Sequence, residues 1–243
     1  MRDCCPDCGS IKLKKNGFTH YGKQNYKCKI CGRQFVKDFT KKYITDDDKE
    51  KIKKLLLERL SLLGVCRVMG VSLMWLLEFM SEIYKDLPDD LNAQHVETKE
   101  DVILCKLEVE ADEMWSFVGS KENKQWIWLA IDNKTKQVIA FYVGSRGDEG
   151  AENLWERIPT VYKKNATFYT DHWDAYKNVI PAAQHQSVDK NSGKTSGIER
   201  VNLTLRQRIS RLVRKALSFS KKLENHIGAI KYFLCHYNLA LHV

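Results

Sequence analysis

Residues 197–222 read G-I-E-R-V-N-L-T-L-R-Q-R-I-S-R-L-V-R-K-A-L-S-F-S-K-K. At the 100° per residue of an α-helix, Ile198, Val201, Leu205, Ile209, Leu212 and Ala216 form one apolar stripe. Arg200, Arg208, Arg211, Arg214 and Lys215 cover roughly the opposite face, and a narrow strip between the two carries Glu199, Asn202 and Arg206. A solvated amphipathic helix explains such a pattern in part, because charge runs are usually surface. Yet from Arg200 to Lys222 there are eight basic residues and no acid, and Glu199 follows the glycine-bearing approach N-S-G-K-T-S-G. A lone carboxylate at the root of a polyanion-binding helix is placed to hold a metal ion beside a phosphodiester.

The net charge of +9 is unevenly distributed. Residues 1–43 hold eleven Lys/Arg against three Asp/Glu, so the chain outside this segment and 200–222 carries a net −7. Two basic regions on an acidic body point to a polyanion, most plausibly nucleic acid. With 243 residues and 43% hydrophobic content, there is material for one large domain or a medium one with small modules. No apolar run reaches the roughly 18 residues of a membrane span, and no signal-peptide pattern follows Met1. The expectation is a cytoplasmic protein without membrane attachment.

Five of the eight cysteines fall within the first 31 residues. Cys5-x2-Cys8 and Cys28-x2-Cys31 are two knuckles, each followed by glycine, separated by nineteen residues of strand-like alternation. Four thiolates at this spacing suit one closed, tetrahedral structural Zn²⁺ site, without which so small a segment lacks the core to fold. Cys4 competes with Cys5 as first ligand, but only Cys5 has the x2 spacing to Cys8. The reading is a zinc ribbon over 1–43.

Over 44–85, D-D-D-K-E-K-I-K-K-L-L-L-E-R-L opens a helical pattern with acids at its start, where the helix dipole favours them. Two short helices then meet at Met69-Gly70-Val71-Ser72, resembling a helix-turn-helix with Gly70 at the turn and Ser72 as cap. From Val68 to Tyr84 there is no Arg or Lys, so a helical hairpin for packing or dimerisation competes with base reading. Residues 86–105 read as a linker. From 106 the period shifts to two: K-L-E-V-E-A-D-E-M-W-S-F-V-G, Q-W-I-W-L-A-I-D and Q-V-I-A-F-Y-V-G predict an antiparallel meander. A helix ended by Pro159, a short buried strand reaching Asp171, a possible strand at H-Q-S-V, the basic helix and an apolar helical tail complete a domain over 106–243.

An acid in the first of these strands, an acid ending the fourth and an acid on the later helix place three carboxylates where they can meet: Asp112, Asp171 and Glu199. Glu110 and Glu113 rival Asp112, which the alternation places beside the apolar M-W-S-F-V run. Hard oxygen ligands beside a basic helix suit divalent metal at a phosphate.

A-D-E-M-W-S-F-V-G, Y-T-D-H-W-D-A-Y and the residues from Ile198 onward, in this order and spacing, resemble the catalytic part of insertion-sequence-one family transposases. The zinc ribbon and helix-turn-helix resemble that family's N-terminal DNA-binding region. The resemblance implies an α/β (α+β) ribonuclease H-like mixed sheet with flanking helices. It also implies an Asp-Asp-Glu site formed by Asp112, Asp171 and Glu199, with Arg206 as the basic residue seven positions after the Glu. Two Mg²⁺ (or Mn²⁺) ions per site, cutting and joining of terminal inverted repeats and target DNA, a homodimer or higher oligomer on DNA, and a prokaryotic, nucleoid-associated setting are further implications. Asn202 and Arg206 are candidates to position the scissile phosphate; Arg200, Arg208, Arg211, Arg214 and Lys215 are candidates for the DNA backbone. A competing expectation is a zinc-ribbon DNA-binding regulator whose ribonuclease H-like domain is not catalytic.

Zinc analysis tests the N-terminal reading. The wild-type chain is expected to hold about one Zn²⁺, and Cys28→Ser to lose it and unfold the ribbon while sparing the larger domain. Full zinc occupancy in the Cys28→Ser protein would contradict the site.

Overall fold

The structure, a computed structural model, describes residues 4–19, 22–36, 44–94, 107–213 and 217–241. The chain divides into two compact units, Met1–Asp46 and Asp47–Val243. In the first, β1 (Leu13–Phe18), β2 (Gln24–Cys28) and β3 (Gln34–Val36) form an antiparallel sheet in that order. The glycine after each cysteine knuckle donates its N–H back to the first cysteine, Gly9 to Cys5 O at 3.0 Å and Gly32 to Cys28 O at 3.2 Å.

The second unit begins with three helices, α1 (Asp46–Leu56), α2 (Leu62–Met69) and α3 (Leu73–Lys85). Ile52, Val65, Met69, Leu76, Phe79 and Met80 form their shared core. Ser61 and Ser72 cap α2 and α3, each accepting from the third backbone N–H beyond it. Gly70 lies between them at φ 64°, the left-handed conformation that a side chain disfavours, and α3 leaves α2 at 110°. No single helix among the described residues is long and apolar enough to cross a membrane.

A five-stranded mixed sheet forms the body of the unit. β4 (Glu108–Phe117), β5 (Lys124–Asp132) and β6 (Val138–Gly144) make the expected meander, and β7 (Thr167–Thr170) and β8 (His185–Ser187) add in parallel, giving the order β6-β5-β4-β7-β8. Both faces of the sheet are covered, which is why β5 reads as a nearly unbroken apolar run. Trp128 and Ala130 face α4 (Asp148–Arg157), α5 (Thr160–Asn165) and α6 (Asp174–Val179), packing with Leu154, Tyr162, Phe168 and Tyr176. Ile127, Leu129 and Ile131 face α7 (Ser196–Arg208) and α8 (Leu223–Ala240), packing with Ile198, Val201, Leu205, Ile230 and Leu234.

Asn238, fully buried on α8, is satisfied on both sides of its amide. Its Oδ1 accepts from Val138 N, and its Nδ2 donates to Leu91 O and Val138 O, all at 2.9 Å. Residues 86–94, the described part of the stretch 86–105, are thereby tied to α8 and to β6. The helical triad is tied to the same body through Tyr232 Oη, which donates to Lys53 O at 3.0 Å, and through an Arg208–Glu58 ion pair at 2.7 Å.

Gly70→Ala places a Cβ at a left-handed position. It is expected to cost about 1 kcal/mol and to lower the unfolding temperature by about 2–4 °C. An unchanged midpoint would contradict the turn geometry.

Candidate active site

The parallel ladder between β4 and β7 pairs Glu108, Val109 and Glu110 with Thr167, Phe168 and Tyr169, and goes no further. Past that point the β4 edge is open, and Asp171, the first residue after β7, comes beside it. Neighbours on a strand point to opposite faces, so Asp112 and Glu113 set out in different directions. Asp112 turns toward α7, where Asn202 Nδ2 donates to its Oδ2 at 2.7 Å. Glu113 turns toward α6, where Tyr176 Oη donates to its Oε2 at 3.1 Å. At an open edge both carboxylates still reach Asp171: oxygens of Asp112, Glu113 and Asp171 all lie within 4.8 Å of one another. These acids, with Ala111, Arg146, Thr195 and Glu199, line a cleft of about 460 Å³. Glu199 borders the cleft from the first turn of α7, outside the tightest group.

The cleft strains its acids. Burial, reinforced by the charge of Asp171, pushes Asp112 up to about 6 against the hydrogen bond from Asn202. Burial and the charges of Asp171 and Asp112 push Glu113 up to about 7, although Arg146 and Tyr176 oppose the rise. Such a set of hard, mutually repelling oxygens fits a divalent cation. Asn202 Oδ1, buried beside Asp112, has no hydrogen-bond partner among the described residues and could accept from a bound water or hydroxyl.

Glu110 has a different position from its rivals. Its Oε2 accepts from Ile198 N at 2.8 Å and its Oε1 from Lys136 Nζ at 3.2 Å, so a buried strand carboxylate caps α7. Gly197 leaves room for this approach, since a Cβ there would lie 2.6 Å from Glu110 Oε1. The cap fixes the turn that carries Glu199.

The long basic helix requires correction. Regular α-helix stops at Arg208; Ile209 is extended at φ −82°, ψ 106°, and Ser210–Leu212 forms a 3₁₀ turn. The apolar period survives the break because buried Ile209 and partly buried Leu212 still join the core. The cationic face is altered at one of its described positions. Arg211 turns inward, donating to the Asn225 carbonyl and, at 3.3 Å, to Ser220 Oγ. Arg208 pairs with Glu58 at the surface, stays exposed and lies 5.6 Å over the ring of Phe233. Arg200 is exposed on α7, Arg206 is half-buried one turn beyond Asn202, and Arg214 and Lys215 lie outside the described residues. His172 is exposed and contacts Asp189 at 2.9 Å, while His185 contacts Thr170 Oγ1 at 2.7 Å.

In the first unit, the sulfurs of Cys5, Cys8, Cys28 and Cys31 lie within 4.8 Å of one another, with Cys5–Cys31 at 3.5 Å and Cys8–Cys28 at 3.6 Å. A tetrahedron of sulfurs bonded to Zn²⁺ has edges of about 3.8 Å. Backbone N–H groups pull Cys28, down to about 6, and Cys5 toward the thiolate a metal needs, while the neighbouring thiols push Cys31 and Cys8 the other way, as expected of four sulfurs crowded together without a cation.

The raised carboxylates have a measurable consequence. Free carboxyls titrate near 4, so Asp112 and Glu113 together hold more protons in the folded, metal-free protein than in the unfolded chain between that pH and about 7. Their contribution to stability therefore falls as pH rises through this window and is constant above it, opposite in sign to that of buried His226, whose imidazole burial pushes down to about 4. Asp112→Asn and Glu113→Gln are each expected to raise the unfolding temperature in chelator by several degrees at pH 8 and hardly at pH 4. Equal shifts at both pH values would contradict the electrostatic account.

Residues 102–239 match the family described as IS1 transposase. The InsB protein of insertion element iso-IS1n from Shigella dysenteriae is 40% identical over 134 residues, 54% of this chain and 94% of the relative. InsB of IS1 2 from Escherichia coli (strain K12) is 33% identical over 151 residues, 62% of this chain and 86% of the relative. Among solved structures, the Mos1 transposase paired-end complex aligns with 79% of this chain and 75% of its own, at 12% identity and a TM-score of 0.31, a likeness too slight to argue from. With more than half of the chain matched and these relatives covered to 94% and 86% of their own length, this chain belongs to the IS1 transposase family.

Proposed function

We propose that this chain binds the terminal inverted repeats of an insertion sequence and catalyses divalent-metal-dependent cleavage and transfer of DNA strands. The observation that carries the reading is the gathering of Asp112, Glu113 and Asp171 within 4.8 Å, with Glu199 on the wall of the same cleft, in a member of a transposase family. Asp112, Asp171 and Glu199 would hold Mg²⁺ or Mn²⁺, with Glu113 at the same edge. Metal bound there would activate a water or 3′-hydroxyl oxygen and offset charge on the leaving oxygen.

The chain's own residues prepare the site. Asn202 orients the Asp112 carboxylate, as outer partners commonly orient a metal ligand. Glu110, through its cap on α7, keeps Glu199 at the cleft. Asp112 and Glu113, raised to about 6 and about 7, give up protons more readily when a cation is present than when it is absent. No covalent protein intermediate enters the reading, so no Ser, Tyr or Cys serves as nucleophile. Arg206, with Asn202, would position the scissile phosphate, and exposed Arg200 and Arg208 are the α7 cations offered to the DNA backbone. A single Zn²⁺ on the four cysteines would hold the N-terminal ribbon together as a further DNA-binding element. The apolar α3, without Lys or Arg before Lys85, is suited to packing or assembly more than to reading bases. Coordinated action at two element ends calls for a homodimer or higher oligomer.

Asp112→Asn, Asp171→Asn and Glu199→Gln are near-isosteric. Each is expected to retain the fold and end binding, and to reduce strand cleavage and joining by about 10³-fold or more, without multiplying in combination. Cleavage of end-bearing DNA in Mg²⁺ measures this. Normal activity in the Asp171→Asn protein would overturn the reading, and end binding with no cleavage by the wild-type chain would favour a DNA-binding regulator.

A further inference from the structure

Among the described residues lining the carboxylate cleft, Arg146 is the only cation, facing Asp112, Glu113, Asp171 and Glu199. It is not on the basic segment that the sequence emphasises. It lies in the loop between β6 and α4, and its position is fixed from several sides. The guanidinium carbon sits 4.3 Å from the ring centre of Trp126 and 4.0 Å from that of Trp173, so two aromatic rings pack against it. The loop backbone is held as well: Trp173 Nε1 donates to Arg146 O at 3.3 Å, and Trp128 Nε1 donates to Ser145 O at 2.8 Å. Trp173 also donates its backbone N–H to Asp171 Oδ1 at 3.0 Å. One short segment thus sets both a metal-facing acid and the cation's stacking partner.

Packed against two rings, the guanidinium keeps its hydrogen-bonding capacity in its edge, which carries five N–H donors. Nε and Nη2 both donate to a single oxygen, Glu113 Oε1, at 3.2 and 3.1 Å. The side chain is nevertheless 42% exposed, against 2% for that of Glu113. Glu113 Oε1 takes one hydrogen from each of Nε and Nη2, which leaves three of the five N–H donors unused among the described residues on a side chain that lines the cleft. A stacked, edge-presenting arginine is the usual answer to a phosphate.

We propose that Arg146 forms a phosphate-oxygen site for the DNA strand entering the cleft, with Trp126 and Trp173 holding its guanidinium edge-on. This assignment rests on the transposase reading of the same cleft. It gives the anionic strand a fixed cation where the protein otherwise offers carboxylates, and it makes Arg146 a substrate-positioning residue with Glu113 as its anchor.

The test uses the full chain and DNA ends in which the scissile phosphate and each neighbour are replaced, one at a time, by an uncharged methylphosphonate. Binding is measured with Ca²⁺ in place of Mg²⁺. The wild-type chain is expected to lose about tenfold in affinity at one of these positions, whereas R146A loses nothing further there, R146K loses less than wild type, and both match wild type elsewhere. Single-turnover cleavage of unmodified DNA in Mg²⁺ is expected to fall about 10²-fold in R146A, and by a similar factor when Glu113→Gln is already present. R146K retains the charge but not the fork, so it separates recognition of phosphate from a collapsed loop; thermal unfolding checks the fold of both variants. A methylphosphonate profile in R146A identical to wild type would overturn the proposal while leaving the transposase reading intact. So would disappearance of the R146A effect in the Glu113→Gln background, since Arg146 would then serve only to neutralise that acid. Failure of the wild-type chain to bind or cleave end DNA would overturn both.

Discussion

Carboxylates brought within 4.8 Å repel one another, and much of the sheet's architecture holds Asp112, Glu113 and Asp171 at that separation. Burial, with that repulsion added to it, raises Asp112 to about 6 and Glu113 to about 7, a cost that a bound cation would relieve. What maintains the cluster is the place where the β4–β7 ladder stops. The pairing ends at Glu110 and Tyr169, leaving an open strand edge around which side chains from both faces can converge. Rigidity comes from cores on both sides of the sheet, with Trp128, Phe168 and Tyr176 on one and Ile127, Leu129 and Ile198 on the other.

The helix that brings Glu199 is joined to the same strand by a buried hydrogen bond. Glu110, two residues before Asp112, spends its carboxylate on Ile198 N, and Gly197 permits the approach. Alternate residues of β4 thereby do related work on one face: Glu110 fixes the start of α7, and Asp112 meets Asn202 one turn along it. The other face meets Arg146, whose guanidinium packs against two tryptophans. The cleft therefore draws on three separate packing arrangements, and a disturbance in one need not disperse the others.

Much of this was legible in the sequence. The period-two runs marked β4 to β6, the knuckle spacing selected the four clustered cysteines, and the order of acids along the chain pointed to Asp112, Asp171 and Glu199, which border one cleft. Glu113 was harder to see because alternation assigns it to the opposite face; only the missing neighbour strand lets it turn back. Glu110 looked like a rival acid, since a carboxylate capping a helix far away in sequence leaves no local pattern. Arg146 was invisible in S-R-G-D because its stacking partners come from β5 and from the segment after β7. The basic run misled in the other direction. Its apolar period continues through Leu212 while the backbone leaves the α-helix at Ile209, so periodicity alone could not show that Arg211 faces inward.

The central claim is that the carboxylate cleft is a divalent-cation site. Its most direct test is a crystal of the full chain soaked in Mn²⁺, with anomalous diffraction recorded at the manganese edge. The account predicts anomalous density between the carboxylates of Asp112 and Asp171, bordered by Glu113 and Glu199, and its loss in Asp171→Asn crystals. Strong manganese density elsewhere on the chain, with none in this cleft, would contradict it.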